Sequence, residues 1–358
     1  LVAEKGEVLF QDALGFAVVE PEKIEANFET IYDLASLTKP LVTGLICAML
    51  VESDEIHLSD KIAKYFSGFA TEEKREITIE NLVTHTSGFK GWKPFYLSDT
   101  EGSAKETVRS QILVEPLEYA VDSKVVYSDF NFILLGFLIE KIYGSPLDKI
   151  AQKLIFEPLK LRNTFFNPPD HLRKEIAASE KGNEFEKDTC LDLGYIEPST
   201  SEEISDKSYK SPFREDVIWG EVHDNNCYFM GGVAGHAGLF SNVGETLKMA
   251  QQFLHQSSGL LKPETCKLLK KNFTPKLNQA RSFSFQLAET KDSTASETLD
   301  KNSFGHLGFT GTSVWIEPNK QRIFILLTNR THNRDLPLAD LKLIRQEFHS
   351  VATKLLDK

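Results

Sequence analysis

Alternating apolar and polar positions open the chain. Val2 and Val8 flank a Lys5-Gly6 turn, and the alternation runs on through 9–19, which predicts a β-hairpin over residues 1–19. At Ser36 the spacing becomes helical, with Leu41, Val42, Leu45, Ile46 and Met49 on one face. Proline fits a helix only near its start, so Pro40 puts Ser36 and Lys39 in the opening turn. Further helices are predicted from Thr78 or Ile79 to the turn Thr86-Ser87-Gly88, and over 106–114, 129–143 and 146–156. The stretch 129–143 is apolar nearly all round, so it should be buried.

Residues 167–230 lose this periodicity. They are polar and loop-rich, with Glu202-Glu203, Lys207 and Lys210 read as solvated surface. So long an irregular excursion is expected to form a wall or flap over a site. Helical spacing returns at 245–254 and 263–270. Strands are predicted at 282–287, 312–316 and 322–328, and an amphipathic helix at 338–356. The fold class that follows is α/β plus α: one antiparallel sheet built from both termini, flanked by helices, with a helical domain inserted. The expected division is 1–35 with 280–358 for the sheet domain, and 36–279 for the insert.

Composition changes this picture little. At 358 residues, 41% hydrophobic and 26% charged, the chain has ordinary globular content. Acidic residues outnumber basic ones, 52 to 41, and the net charge of −11 argues against nucleic acid or an anionic membrane as partner. The longest apolar run, 132–139, is broken by Gly136, so no membrane-spanning segment is expected. Leu1 lies within a strand pattern and no methionine precedes it, so a preceding segment is expected to be missing. Cys47, Cys190, Cys227 and Cys266 form no CxxC pair, which points to free buried thiols.

Candidate chemistry begins at Ser36-Leu37-Thr38-Lys39. A three-residue spacing sets serine and lysine on one helix face. A serine hydroxyl needs its proton removed before it attacks, and the positive helix end disfavours an ammonium, which would free Lys39 as a base. By itself the pair also reads as a capping serine beside a solvated lysine. Two further motifs change its weight: Tyr127-Ser128-Asp129 before the buried helix, and His306-Leu307-Gly308-Phe309-Thr310-Gly311 before a strand. No GxSxG elbow and no glycine-rich phosphate loop is present.

In this order and setting the three motifs resemble the serine β-lactamase and penicillin-binding protein superfamily. The likeness is nearest to its class C β-lactamase, DD-peptidase and esterase-like family. Leu82-Val83-Thr84-His85-Thr86-Ser87-Gly88 also matches, and the likeness extends over essentially the whole chain. Gly220-Glu221-Val222-His223-Asp224, the stretch 231–241 and Thr328-Asn329-Arg330 are similar to a subgroup of cell-wall-linked bacterial serine hydrolases. The resemblance implies a β-lactamase/transpeptidase-like fold, no cofactor, and a small-molecule or peptide acyl substrate. It implies Ser36 as nucleophile with Lys39 and Tyr127 moving protons, and leaves open which of the two acts first. The oxyanion hole would be the backbone N–H groups of Ser36 and Phe309. Asp129, His306, Gly308 and His223 would face substrate.

Three positions depart from the family pattern. Asp129 replaces an asparagine, Leu307 a threonine and His306 a lysine, all of which point away from an efficient β-lactamase. His85 reads as a structural hydrogen-bonder. The spacing of His223, Asp224 and His236 fits no standard zinc pattern, so no metal is expected. Trp92 and Trp219 are placed near the pocket, as packing or as ligand platforms. The expected reaction is acyl transfer to water, on D-amino-acid-containing cell-wall peptides or on a related ester. A weak β-lactamase and a non-catalytic binder of penicillin or cell-wall fragments remain as rivals. The compartment and oligomeric state stay open, a cell-envelope location following if the substrate is peptidoglycan.

Overall fold

A computed structural model describes residues 1–99, 102–197 and 211–358. Its main sheet has six antiparallel strands in the order β2-β1-β11-β10-β9-β8. The chain's start supplies β1 (Val2–Glu4) and β2 (Glu7–Phe10). Its last third supplies β8 (Gln286–Leu287), β9 (Phe304–Leu307), β10 (Ser313–Glu317) and β11 (Arg322–Leu326). The sheet is thus drawn from both ends of the chain.

Every residue of β10 is buried, because both faces of the sheet are covered. Trp315 points to one face, where Val2 and Phe324 meet Phe348, Ala352 and Leu356 of the C-terminal helix Lys342–Leu356. Val314 and Ile316 point to the other and join the large core. That core takes in the apolar stretch Ala35–Glu52, which is long and apolar enough to cross a membrane but lies mostly buried. It runs as a 3₁₀ turn (Ala35–Leu37), a π-helical segment (Lys39–Gly44) whose first turn holds Pro40, and α1 (Leu45–Glu52).

The middle helices form where capping and burial agree. α2 (Ile79–Thr84) starts on a capping box of Thr78 with Asn81 and ends at His85 in the left-handed region. α3 (Ala104–Val114) starts on a second such box, Ser103 with Glu106. α4 (Asp129–Tyr143) begins at the predicted residue and ends at Gly144 with φ +63°. α5 (Leu147–Ala151) continues into a π-helical turn, Gln152–Phe156.

Several expectations need correction. The second hairpin strand stops at Phe10. The left-handed Gly15 intervenes, and β3 (Phe16–Val18) pairs with β4 (Ile24–Glu25) in a separate ribbon. Only two residues of 282–287 are strand, since Ser284 (φ +65°) breaks the extended run. A three-stranded sheet was not anticipated: β5 (Tyr32–Asp33), β7 (Leu239–Ser241) and β6 (Phe165–Phe166). The excursion carries a 3₁₀ helix at Asp170–Glu175, α6 (Glu184–Asp192) and a short helix at Asn225–Phe229. Glu202, Glu203, Lys207 and Lys210 lie outside the described residues.

Candidate active site

Ser36 follows a turn held from several sides. Ala35 sits at φ +47°, strained for a residue with a side chain, and its N–H donates to Asp33 Oδ1 at 2.8 Å. Thr38 Oγ1 donates to the Ala35 carbonyl at 2.6 Å. From the β9–β10 turn, Thr310 donates to the Asp33 carbonyl (2.7 Å) and Thr312 to that of Leu34 (3.1 Å). Ser36 is the only partly exposed residue between Asp33 and Pro40.

Lys39 lies fully buried beneath the serine. Its Nζ donates to Ser36 Oγ at 2.8 Å and to the His236 carbonyl at 3.1 Å, and pairs with Asp129 Oδ1 at 2.8 Å. Burial opposes its charge, but the Asp129 carboxylate and the Tyr127 phenol outweigh burial and raise the ammonium above its ordinary range. The neutral lysine expected from the helix end is therefore not the resting state; the acid of the tyrosine motif reverses that argument. Gly235 lets the segment that carries the His236 carbonyl pack against α4, because a Cβ there would strike the Phe132 carbonyl.

Tyr127 is half-buried with its hydroxyl covered, its ring 4.9 Å from Lys39 Nζ and 4.6 Å from the His85 ring. Burial and Asp129 raise its phenol, with Lys39 working against them. Its hydroxyl has no hydrogen-bond partner among the described residues. His85 acts structurally, its Nδ1 accepting the Ser128 N–H at 3.1 Å.

A cavity of about 810 Å³ opens over these groups, lined by Ser36, Tyr127, Asp129 and His223. His306, Gly308 and Phe309 line it as well. The predicted site residues thus converge, with Lys39 directly beneath them. The N–H groups of Ser36 and Phe309 have no acceptor among the described residues. Gly308 packs so closely that a Cβ would meet Thr312 Oγ1, the Leu34 carbonyl and Ala35. His306 is buried, and burial together with Lys39 and Arg281 holds its imidazole well below the usual range. It is a neutral group and not a weakened cation.

The excursion supplies the far wall. His223 Nε2 pairs with Glu180 at 2.7 Å, its backbone N–H donates to Asp33 Oδ2 at 2.7 Å, and its ring stacks on Phe309. Burial opposes the His223 charge, but Glu180 outweighs burial and raises its pKa. Glu186 lines the cavity, pushed up to about 7 by burial and by Asp224. Trp92 lines the cavity, whereas Trp219 is packing, its indole bound to the Ile176 carbonyl at 2.8 Å. Asp129, Asp224 and His236 bring ligand-type atoms within 4.8 Å of one another. The Lys39 ammonium against Asp129 sets a positive charge there already and speaks against a metal.

Three arginines add charge to the site: Arg330 belongs to the Thr328-Asn329-Arg330 motif, whereas Arg281 and Arg345 were not singled out in the sequence. Arg281, Arg330 and Arg345 line the cavity, and none pairs with a carboxylate among the described residues. Burial brings Arg281 down to about 10, and burial with neighbouring Arg330 does the same to Arg345. Arg345 had a readable signal, a cation on the buried face of the C-terminal helix. Arg281 had none.

Comparisons with known proteins place the whole chain in one family and fold. Residues 1–347 match the family model described as Beta-lactamase. A relative from Escherichia coli (strain K12), named "Putative D-alanyl-D-alanine carboxypeptidase", is 31% identical over 95% of this chain and 79% of its own length. Among solved structures, EstCE1, a hydrolase with promiscuous acyltransferase activity, superposes with a TM-score of 0.71 at 18% identity. It covers 98% of this chain and 92% of its own. A class C β-lactamase mutant gives 0.68 at 14% identity, covering 99% and 90%. Fold and family together define a serine hydrolase with a β-lactamase/transpeptidase-like fold. The chain belongs to the β-lactamase family.

Proposed function

We propose that the protein hydrolyses an amide bond next to a carboxylate, in a D-amino-acid-containing cell-wall peptide, through an acyl-enzyme on Ser36. The observation that carries this reading is the buried Lys39 Nζ at 2.8 Å from Ser36 Oγ. Ser36 Oγ attacks the acyl carbon, and the oxyanion is held by the N–H groups of Ser36 and Phe309. Lys39 and Tyr127 carry the serine proton to the leaving amine. Water then attacks the ester and releases the acid.

The names of the curated relatives support the peptide substrate. Arg281, Arg330 and Arg345 supply positive charge for a substrate carboxylate, the task that neutral His306 and apolar Leu307 do not perform. That same neutral His306-Leu307 edge favours a second reading, an esterase whose substrate lacks the carboxylate.

Intact-protein mass spectrometry after exposure to a fluorophosphonate, and separately to a penicillin, tests the assignment. One adduct per chain, absent in Ser36→Ala, is the expected result, with release of D-alanine from a D-Ala-D-Ala peptide. Ester turnover without peptide turnover selects the second reading. No adduct with either reagent would mean a binding protein.

A further inference from the structure

We propose that Asp129 is the transient proton acceptor in the attack step of acylation, with Lys39 giving its own proton to Asp129, taking the Ser36 proton in exchange and never resting as a free base. The inference rests on the reading of Ser36 as nucleophile. Its support is a chain of two short contacts. Ser36 Oγ lies 2.8 Å from Lys39 Nζ, which lies 2.8 Å from Asp129 Oδ1. The Asp129 carboxylate meets Lys39 as an ion pair and accepts no side-chain hydrogen bond among the described residues, and it faces the cavity, so nothing else uses its basicity. An asparagine amide at this position could not accept a proton.

The surroundings explain why a second acceptor is needed. Facing Lys39 are Asp129 at the start of α4, Tyr127 just before it, and the 224–238 segment with Asp224 and His236. Neutral His85 and His306, with charged Arg281, complete the shell. Asp224 is already engaged: it accepts the Cys227 N–H at 2.7 Å and lies 3.1 Å from His236 Nε2. Asp129 is the carboxylate left to neutralise the ammonium. An ammonium held this way has no lone pair to offer the serine.

Proton transfer from Lys39 to Asp129 creates that lone pair. The amine then turns by one staggered step about Cε–Nζ and presents it to Ser36. As Oγ bonds to the acyl carbon, the carbonyl π pair moves to oxygen and the hydroxyl proton passes to Nζ. Lys39 is again an ammonium and Asp129 a carboxylic acid. On collapse the bond to the leaving nitrogen breaks with its electron pair. That nitrogen takes a proton from Tyr127 or Lys39, which Asp129 replaces, returning to carboxylate. Water repeats the sequence in deacylation.

The experiment has two readouts on the full chain. In ¹³C-lysine-labelled protein, with Lys39→Arg to assign the signal, the Lys39 Cε resonance should hold its ammonium position from about pH 6 to pH 10. In Asp129→Asn it should titrate within that range. In parallel, at a pH below the Lys39 titration of Asp129→Asn, the rate of fluorophosphonate labelling of Ser36 should fall about 100-fold in that variant and recover in part in Asp129→Glu. A Lys39 signal already neutral at neutral pH overturns the relay whatever the enzyme turns over. Labelling of Asp129→Asn at the wild-type rate overturns the relay and leaves Ser36 as nucleophile. Absence of any adduct on the wild type overturns the nucleophile reading and the relay with it.

Discussion

Both oxygens of the Asp33 carboxylate accept backbone N–H groups, Oδ1 from Ala35 beside the nucleophile and Oδ2 from His223 on the excursion wall. Burial raises its pKa, but the paired N–H groups and His223 work against that. One buried side chain therefore fixes the strained turn before Ser36 and ties the cavity's far wall to it. In Asp33→Asn, an amide NH₂ would oppose one of those N–H groups and leave a buried donor unpaired, costing about 1–3 kcal/mol of stability. The expected result is a roughly tenfold slower labelling of Ser36, with the Lys39 resonance unmoved. Labelling at the wild-type rate would show that the turn holds without Asp33. At this scale the sequence speaks clearly only where partners are close in the chain. Ser36 and Lys39 are one turn apart, so their meeting was legible. The charge on Lys39 was not, because Asp129, which sets it, lies 90 positions further on. Asp33 left a faint sign, an acid inside the apolar run from Ile31 to Leu37.

The turn between β9 and β10 sets the cavity's width by bringing one backbone against another. Gly308 donates its N–H to the Thr312 carbonyl at 2.8 Å, and it has no room for a side chain against Leu34 and Ala35. Gly308→Ala should push β9 away from the nucleophile turn, costing about 1–3 kcal/mol and abolishing acylation while the fold persists. Far-UV circular dichroism with Ser36 labelling checks this, and an alanine variant that labels normally would refute the close-approach argument. Elements of this kind were legible when periodicity and capping agreed. α4 declares itself by fifteen residues of apolar helix, an acid in its first turn and a glycine after its last. The three-stranded sheet was not legible, because strands of two or three residues carry no period. Their partners, Tyr32, Phe165 and Phe240, are brought together only by the tertiary fold. α6 escaped notice for a related reason, since its only buried residues are Glu186 and Cys190.

Across the whole molecule, buried histidines set the response to acid. His349 of the C-terminal helix is fully buried against Trp315, Phe324 and Phe348 on the sheet face away from the cavity. Its Nδ1 meets the Thr294 carbonyl at 3.2 Å, while Nε2 has no partner among the described residues. Burial pushes its pKa down to about 4, with Arg345 adding to the shift and the Thr294 contact opposing it. The folded pKa is depressed below the unfolded one, so between the two the unfolded chain binds the extra proton. The stability this gives is present above about pH 6.5 and lost as pH falls towards 4. His85 and His306, shifted the same way by burial, reinforce the trend from the other side of the sheet. Glu186 opposes it, since a carboxyl raised to about 7 favours the folded state as pH drops below that value. A single melt cannot separate these contributions, but a variant can. His349→Gln preserves a donor for Thr294 and removes the titration. Between pH 7 and pH 5 the wild type should lose about 2 kcal/mol more unfolding free energy than this variant in urea titrations. Parallel losses in the two proteins would mean that His349 takes up its proton without unfolding, and that the helix–sheet face admits water.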